Sequence, residues 1–111
     1  MMERARIAGD LTAAASAELD VLKARRASPA NRIAAARAIL AFDPCHEKAT
    51  RTLMRALLES GDMVALVREY QRCKETLKRR LDAAPSEKTA DLYKTAMQQD
   101  GTGALARNRP R

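Results

Sequence analysis

The chain has 111 residues, enough for one domain, and 46 % of them are apolar, with Phe42, Tyr70 and Tyr93 as the only aromatics. Much of the apolar content is alanine, so each helix buries little area and the core is thin for the chain length. The net charge of +7 is spread along the chain, seven basic against four acidic residues over 1–42, eleven against nine over 43–99 and three against one over 100–111, so charge alone is weak support for nucleic-acid binding.

Taken in chain order, Gly9-Asp10 predicts a break, after which Leu11, Ala15, Leu19 and Leu22 recur at helical spacing to about Arg26. Ser28-Pro29 ends that helix and starts a second over about Ala30 to Phe42, with Ile33, Ala36, Ile39 and Leu40 inward. Asp43-Pro44 repeats the same grammar: Asp43 is expected as N-cap, Pro44 at the first position, and Glu47 near the positive end of the helix dipole. The third helix presents Ala49, Leu53, Met54, Leu57 and Leu58, and stops at Ser60-Gly61, where glycine accepts the left-handed conformation. Asp62 caps a fourth helix whose Met63, Leu66, Val67, Tyr70, Cys73, Leu77 and Leu81 form the clearest stripe. A turn at Ala83-Ala84-Pro85 leads to a fifth helix from Ser86, with Thr89, Leu92, Tyr93, Ala96 and Met97 on its apolar side.

From Asp100 onward, two glycines, a proline and Arg107, Arg109 and Arg111 predict a disordered basic tail over 100–111, because too little apolar surface is present to offset ordering entropy. No stretch alternates in the manner of a strand. The expectation is an all-α fold of about five helices in one domain over 1–99. Helix pairs one-two and three-four recur after roughly 34 residues, the period of tetratricopeptide units. Leu57, Gly61, Leu66, Tyr70 and Cys73 keep that spacing, with Leu66 where a small residue is usual.

The later punctuation is more specific. Asp43-Pro44, His46-Glu47, Arg51, Leu53-Met54-Arg55 and Gly61 come first; Tyr70, Arg72-Cys73, Leu77 and Leu81 follow, then Pro85-Ser86, Thr89 and Leu92-Tyr93. In this order and spacing they resemble the bacterial transcriptional activator domain. That is the tetratricopeptide-like α-helical module of the Streptomyces antibiotic regulatory protein family and of related multidomain regulators. The resemblance covers about residues 30–98. Two departures stand out: Arg80-Leu81-Asp82-Ala83 replaces the family's Glu-Leu-Gly-Val, implying a different turn before helix five, and Lys88 replaces an acidic residue. Members normally carry a winged-helix DNA-binding domain ahead of this module, and the residues before the resemblance are too few to hold one. The chain then reads as an isolated module, a truncated descendant or part of a longer polypeptide.

No enzyme is expected. His46 has no nucleophile or carboxylate pair placed to use it, and the local reading is packing near a helix N-terminus. Cys73 sits in an apolar stripe and reads as a small buried hydrophobe. Tyr70 and Tyr93 read as braces between hairpins, and neither Gly9 nor Gly61 belongs to a phosphate-cradling motif. Cys45 and Cys73 form no ligand set with His46, so no metal or cofactor is expected, and both read as reduced thiols of a soluble cytoplasmic protein. No run suits a membrane span or a signal peptide. The predicted structural core includes Leu53, Leu57, Leu66, Tyr70, Cys73, Leu77 and Tyr93.

Two function classes compete. Stacked hairpins form a groove on their inner helices, here helices one and three, and so short an array should leave apolar surface open at helix one or helix five for a second copy or a partner domain. The resemblance implies the same: a protein-binding module in transcription control, acting by self-association, for instance as a homodimer, or by docking to a regulator, with DNA reached only indirectly. The rival is sequence-nonspecific nucleic-acid binding by Arg68, Arg72, Lys78, Arg79 and Arg80 on the solvated side of helix four, where Glu69 and Glu75 interrupt the charge and Glu75 can pair with Arg72 or Arg79. A degenerate remnant without any partner is the third reading.

Overall fold

Proline, glycine and small polar residues divide the chain into five helices in the computed structural model, which describes residues 2–102, with side chains from 11 to 99. In order they are α1 (Met2–Ala24), α2 (Pro29–Phe42), α3 (Glu47–Glu59), α4 (Met63–Leu81) and α5 (Glu87–Thr102), and no strand occurs among the described residues. The predicted all-α, tetratricopeptide-like architecture is what is seen. The break expected at Gly9-Asp10 is absent: α1 runs straight through it. One mid-helix glycine costs about 1 kcal/mol relative to alanine, which the surrounding good helix formers outweigh. At the other end α5 continues to Thr102, and the remainder of the predicted tail lies outside the described residues.

The helix ends show how local chemistry sets the hairpins. Ser28 caps α2, its Oγ accepting the Asn31 N–H at 3.2 Å, with Pro29 in the first turn. Asp43 does not cap α3 as expected. Its N–H donates to the Ile39 carbonyl at 2.9 Å, closing α2, and its Oδ1 accepts the Cys45 N–H at 3.2 Å. An aspartate before proline readily binds the backbone two residues on, and that turn delays the helix start. His46 becomes the N-cap, with Nδ1 accepting the Ala49 N–H at 3.1 Å. Asp62 caps α4 as predicted, accepting from Ala65 N–H at 3.1 Å.

Three helices terminate through left-handed residues. Arg26 (φ 53°) and Gly61 (φ 76°) each allow the two backbone bonds that close a Schellman motif, Ala27 N–H to Leu22 O at 3.0 Å and Asp62 N–H to Leu57 O at 2.9 Å being the longer-range ones. Asp82 (φ 48°, ψ 44°) ends α4. With no glycine at the turn after α4, aspartate takes the left-handed conformation itself, which short polar side chains tolerate better than most.

α3 lies at the centre and packs on all four other helices, with α2 as its closest neighbour. Short connections make α1–α2 and α3–α4 hairpins, and α1 and α5 flank α3. The core is built from Ala15 and Leu19 of α1, Ala36, Ile39 and Leu40 of α2, Ala49, Leu53, Met54 and Leu57 of α3, Leu66 of α4 and Ala96 of α5. Leu53, Met54 and Leu66 are fully buried, and burial of each such side chain is worth about 1.5–3 kcal/mol. Leu81, placed in the α4 stripe by its spacing, is 62 % exposed at the last residue of that helix. No helix among the described residues is long and apolar enough to cross a membrane.

Candidate functional site

The signature residues come together, but in a latch between helices rather than a reaction centre. Glu47, in the first turn of α3, reaches the start of α5, where its Oε1 accepts the Ser86 N–H at 2.8 Å and the Thr89 hydroxyl at 2.9 Å. Arg51, one turn along α3, donates to the same Thr89 Oγ1 at 3.0 Å. Thr89 is fully buried and its single O–H is committed to Glu47, so the Ser86 hydroxyl, 3.3 Å away, is the donor of that contact. A carboxylate from α3 thus caps the N-terminus of α5, favourable for both the dipole and the otherwise unpaired N–H.

A second set ties α4 to the turn before α3. Arg72 donates to Glu69 Oε2 at 2.7 Å, to the Pro44 carbonyl at 3.0 Å and to Thr50 Oγ1 at 3.1 Å. Three donations from different nitrogens of one rigid plane suit a guanidinium, whose fork reaches partners that a single ammonium point could not span. His46 completes the arrangement by standing 3.4 Å from Ser16 Oγ on α1 through Nε2. With Nδ1 occupied as an N-cap and the ring buried, His46 is a joint between α1 and α3. Tyr70 and Tyr93 stack with centroids 4.0 Å apart and planes 7° from parallel, bracing α4 against α5. Burial pushes the Tyr70 hydroxyl and the Cys73 thiol above their ordinary pKa ranges, and nearby Glu47 adds to the effect at Cys73. A protonated, fully buried thiol is a poor nucleophile. No buried side-chain polar atom among the described residues lacks a partner, and none of their His, Cys, Asp and Glu side chains gather three or more together to hold a metal.

The basic residues predicted on α4 divide. Arg68, Lys78, Arg79 and Arg80 are exposed, whereas Arg72 is half-buried, its donors largely engaged by Glu69, Pro44 and Thr50. Its acidic partner is Glu69, not Glu75. Lys78 pairs with Asp82. Arg79 and Arg80 border a shallow groove with Arg37 of α2, in which Glu69 offsets part of the charge. Arg68 lies apart from that groove. The predicted core residues Leu53, Leu57, Leu66, Cys73 and Leu77 are buried, and Tyr70 and Tyr93 are half-buried.

A second basic surface, absent from the sequence reading, lies on the inner side of the stack. A groove of about 450 Å³ is walled by α1, α3 and α5 with Arg32 of α2 at one end. It carries six cations, Lys23, Arg32, Lys48, Arg51, Arg55 and Lys88, against two acids, Asp20 and Glu59. Arg32 grips Glu59 with two bonds of 2.6 and 2.8 Å, and Lys48 pairs with Asp20 at 2.7 Å. Arg55 has neither a hydrogen bond nor an ion pair among the described residues. Partial desolvation of this otherwise exposed side chain, then the neighbouring Arg51 charge, lower its pKa. Arg51 and Arg55 are one helical turn apart in the sequence, yet only the stacking shows that they share a groove with Lys23 and Lys88.

No curated protein and no solved structure matches the chain. The family model of the bacterial transcriptional activator domain does, over residues 2–96, so the match takes in α1 as well as the region of the signature. Five stacked helices, a latch formed by the signature residues and a match across most of its length place the chain in the bacterial transcriptional activator domain family.

Proposed function

We propose that the protein is a non-enzymatic docking module of a cytoplasmic transcription regulator, binding a second copy or a DNA-reading regulator through protein contacts. The observation that carries this reading is the open edge of α1. Leu11 and Val21 are 51 % and 50 % exposed, and the exposed Ala14 and Ala17 lie between them on the same side of the helix. Among the described residues no other helix covers this apolar edge, and such an edge is stabilised by association. The latch supports the reading from the other side, since His46, Glu47, Arg72 and Thr89 of the signature are spent on internal contacts rather than on a reaction centre.

Sedimentation over a wide concentration range, alone and with a DNA-binding regulator of the same host, tests the proposal. Association is expected, and Leu11→Glu with Val21→Glu should abolish it while leaving helicity intact. A chain that stays monomeric and ignores the regulator, or associates equally well with both substitutions, would overturn it. Direct nucleic-acid binding is the rival reading, with the exposed Arg68, Arg79 and Arg80 as its basis; it requires affinity that falls steeply with salt.

A further inference from the structure

We infer that the groove between α1, α3 and α5 receives an acidic peptide segment of a partner protein, held by Lys23, Arg51, Arg55 and Lys88. The inference rests on the protein-docking reading above but names a different surface and the chemistry it selects. Of the six cations lining the groove, Arg32 and Lys48 are neutralised by Glu59 and Asp20. Lys23, Arg55 and Lys88 have no hydrogen bond or ion pair among the described residues. Arg51 spends one N–H on Thr89, and a guanidinium has five. Like charges at i,i+4 on a helix repel, and the Arg51 charge is felt at Arg55, which itself has no acidic partner among the described residues. A carboxylate entering the groove supplies that missing counter-charge, at a site already partly shielded from water.

The distribution of the cations selects the occupant. They come from three helices rather than converging on one point, which suits several spaced carboxylates better than one small anion. A nucleic-acid strand fits less well: Asp20 and Glu59 stand on the groove wall against a continuous phosphate chain, and no aromatic ring lines it for bases to stack on. A second copy of this chain is the poorer donor, since its sequence carries net charge +7 and would bring more cations than carboxylates to the groove.

Fluorescence anisotropy with the full chain tests this, using a fluorescein-labelled peptide of repeated Glu and Ala, its Gln and Ala counterpart, and a labelled oligo-dT strand. The Glu peptide should bind saturably and the Gln peptide should not. Arg55→Glu combined with Lys88→Glu, both at exposed positions, should weaken binding by at least about tenfold, whereas Arg68→Glu on α4 should change it less than about twofold. Circular dichroism confirms that each variant stays helical. Equal binding of the Gln peptide, equal damage from the α4 reversal, or tighter binding of oligo-dT lost with the groove reversals would each overturn the inference, the last assigning the groove to nucleic acid. The α1-edge substitutions separate the two ideas: loss of association with unchanged peptide binding upholds both surfaces. Peptide binding that ignores the groove reversals sinks this one alone.

Discussion

Removal of the Glu47 carboxylate tests whether the latch, rather than apolar packing alone, seats α5. Glu47→Ala deletes two charge-assisted bonds, to Ser86 N–H at 2.8 Å and to the Thr89 hydroxyl at 2.9 Å. Hydrogen bonds to a charged group contribute about 1.5–3 kcal/mol each in protected settings. Glu47 is half-buried and Ser86 exposed, so the low end applies; Thr89, fully buried, keeps its bond from Arg51 and can turn its hydroxyl to Ser86 Oγ at 3.3 Å, which recovers part of the loss. The expected loss is about 2 kcal/mol, or roughly 10 °C in Tm for a domain of this size. Glu47→Gln keeps a carbonyl oxygen at the same place and should cost about 1 kcal/mol, the difference reporting the charge and its helix-dipole share. Urea unfolding followed by circular dichroism gives both numbers, and hydrogen exchange along α5 localises the damage. A Glu47→Ala loss under about 0.5 kcal/mol, or alanine and glutamine variants of equal stability, would refute the reasoning.

Asp82→Gly should raise stability by about 0.5–1 kcal/mol in the same urea assay, because glycine takes φ 48° without the side-chain penalty and the exposed Lys78–Asp82 pair it removes contributes only a few tenths. Gly61→Ala should do the opposite by about 1 kcal/mol, since no atom lies within 4 Å of the added carbon and only the φ of 76° opposes it. The Arg32 guanidinium holds the Glu59 carboxyl below its ordinary range, so the bridge between α2 and α3 contributes fully above the unfolded pKa of a glutamate and is lost as pH falls through the lower folded one. Melting temperature against pH should therefore fall less steeply on the acid side in Glu59→Gln than in wild type, a difference that high salt shrinks. Titration with a thiol reagent should modify half-buried Cys45 in the native protein and reach Cys73 only on unfolding, because burial keeps the latter protonated and covered.

Helix punctuation was legible wherever one residue type decides a conformation: Ser28-Pro29, Gly61 and Asp62 behave as local chemistry requires. Elsewhere two plausible acceptors lay close together, and sequence could not rank them. Asp43 and His46 both precede α3, and the stronger helix capper in isolation is recruited by the Asp-Pro turn, leaving the cap to a histidine that α1 also touches through Ser16. Arg72 illustrates a different limit. Its helical position marks it as solvated, and only the fold brings the Pro44 carbonyl and Thr50 hydroxyl within its reach. The inner groove was hidden for the same reason: Lys23, Arg55 and Lys88 are far apart in the chain and line one groove only after three helices have stacked.

Arg51 links the two features that the stacking creates. Through Thr89 it helps seat α5, and its remaining N–H groups face the groove beside Arg55 and Lys88. The groove therefore exists only while α5 is docked, and Glu47 and Thr89 set where Lys88 stands without lining the surface with their own charge. An anion that draws Arg51 toward the groove competes with its bond to Thr89, whereas one that settles on Arg55 and Lys88 adds a tie between α3 and α5 and stabilises the latch. Binding and α5 docking are in this way one linked equilibrium, whose sign depends on which guanidinium takes the carboxylate. Arg51 thus belongs both to the family signature and to the groove, so one residue that seats α5 also shapes what the groove can bind.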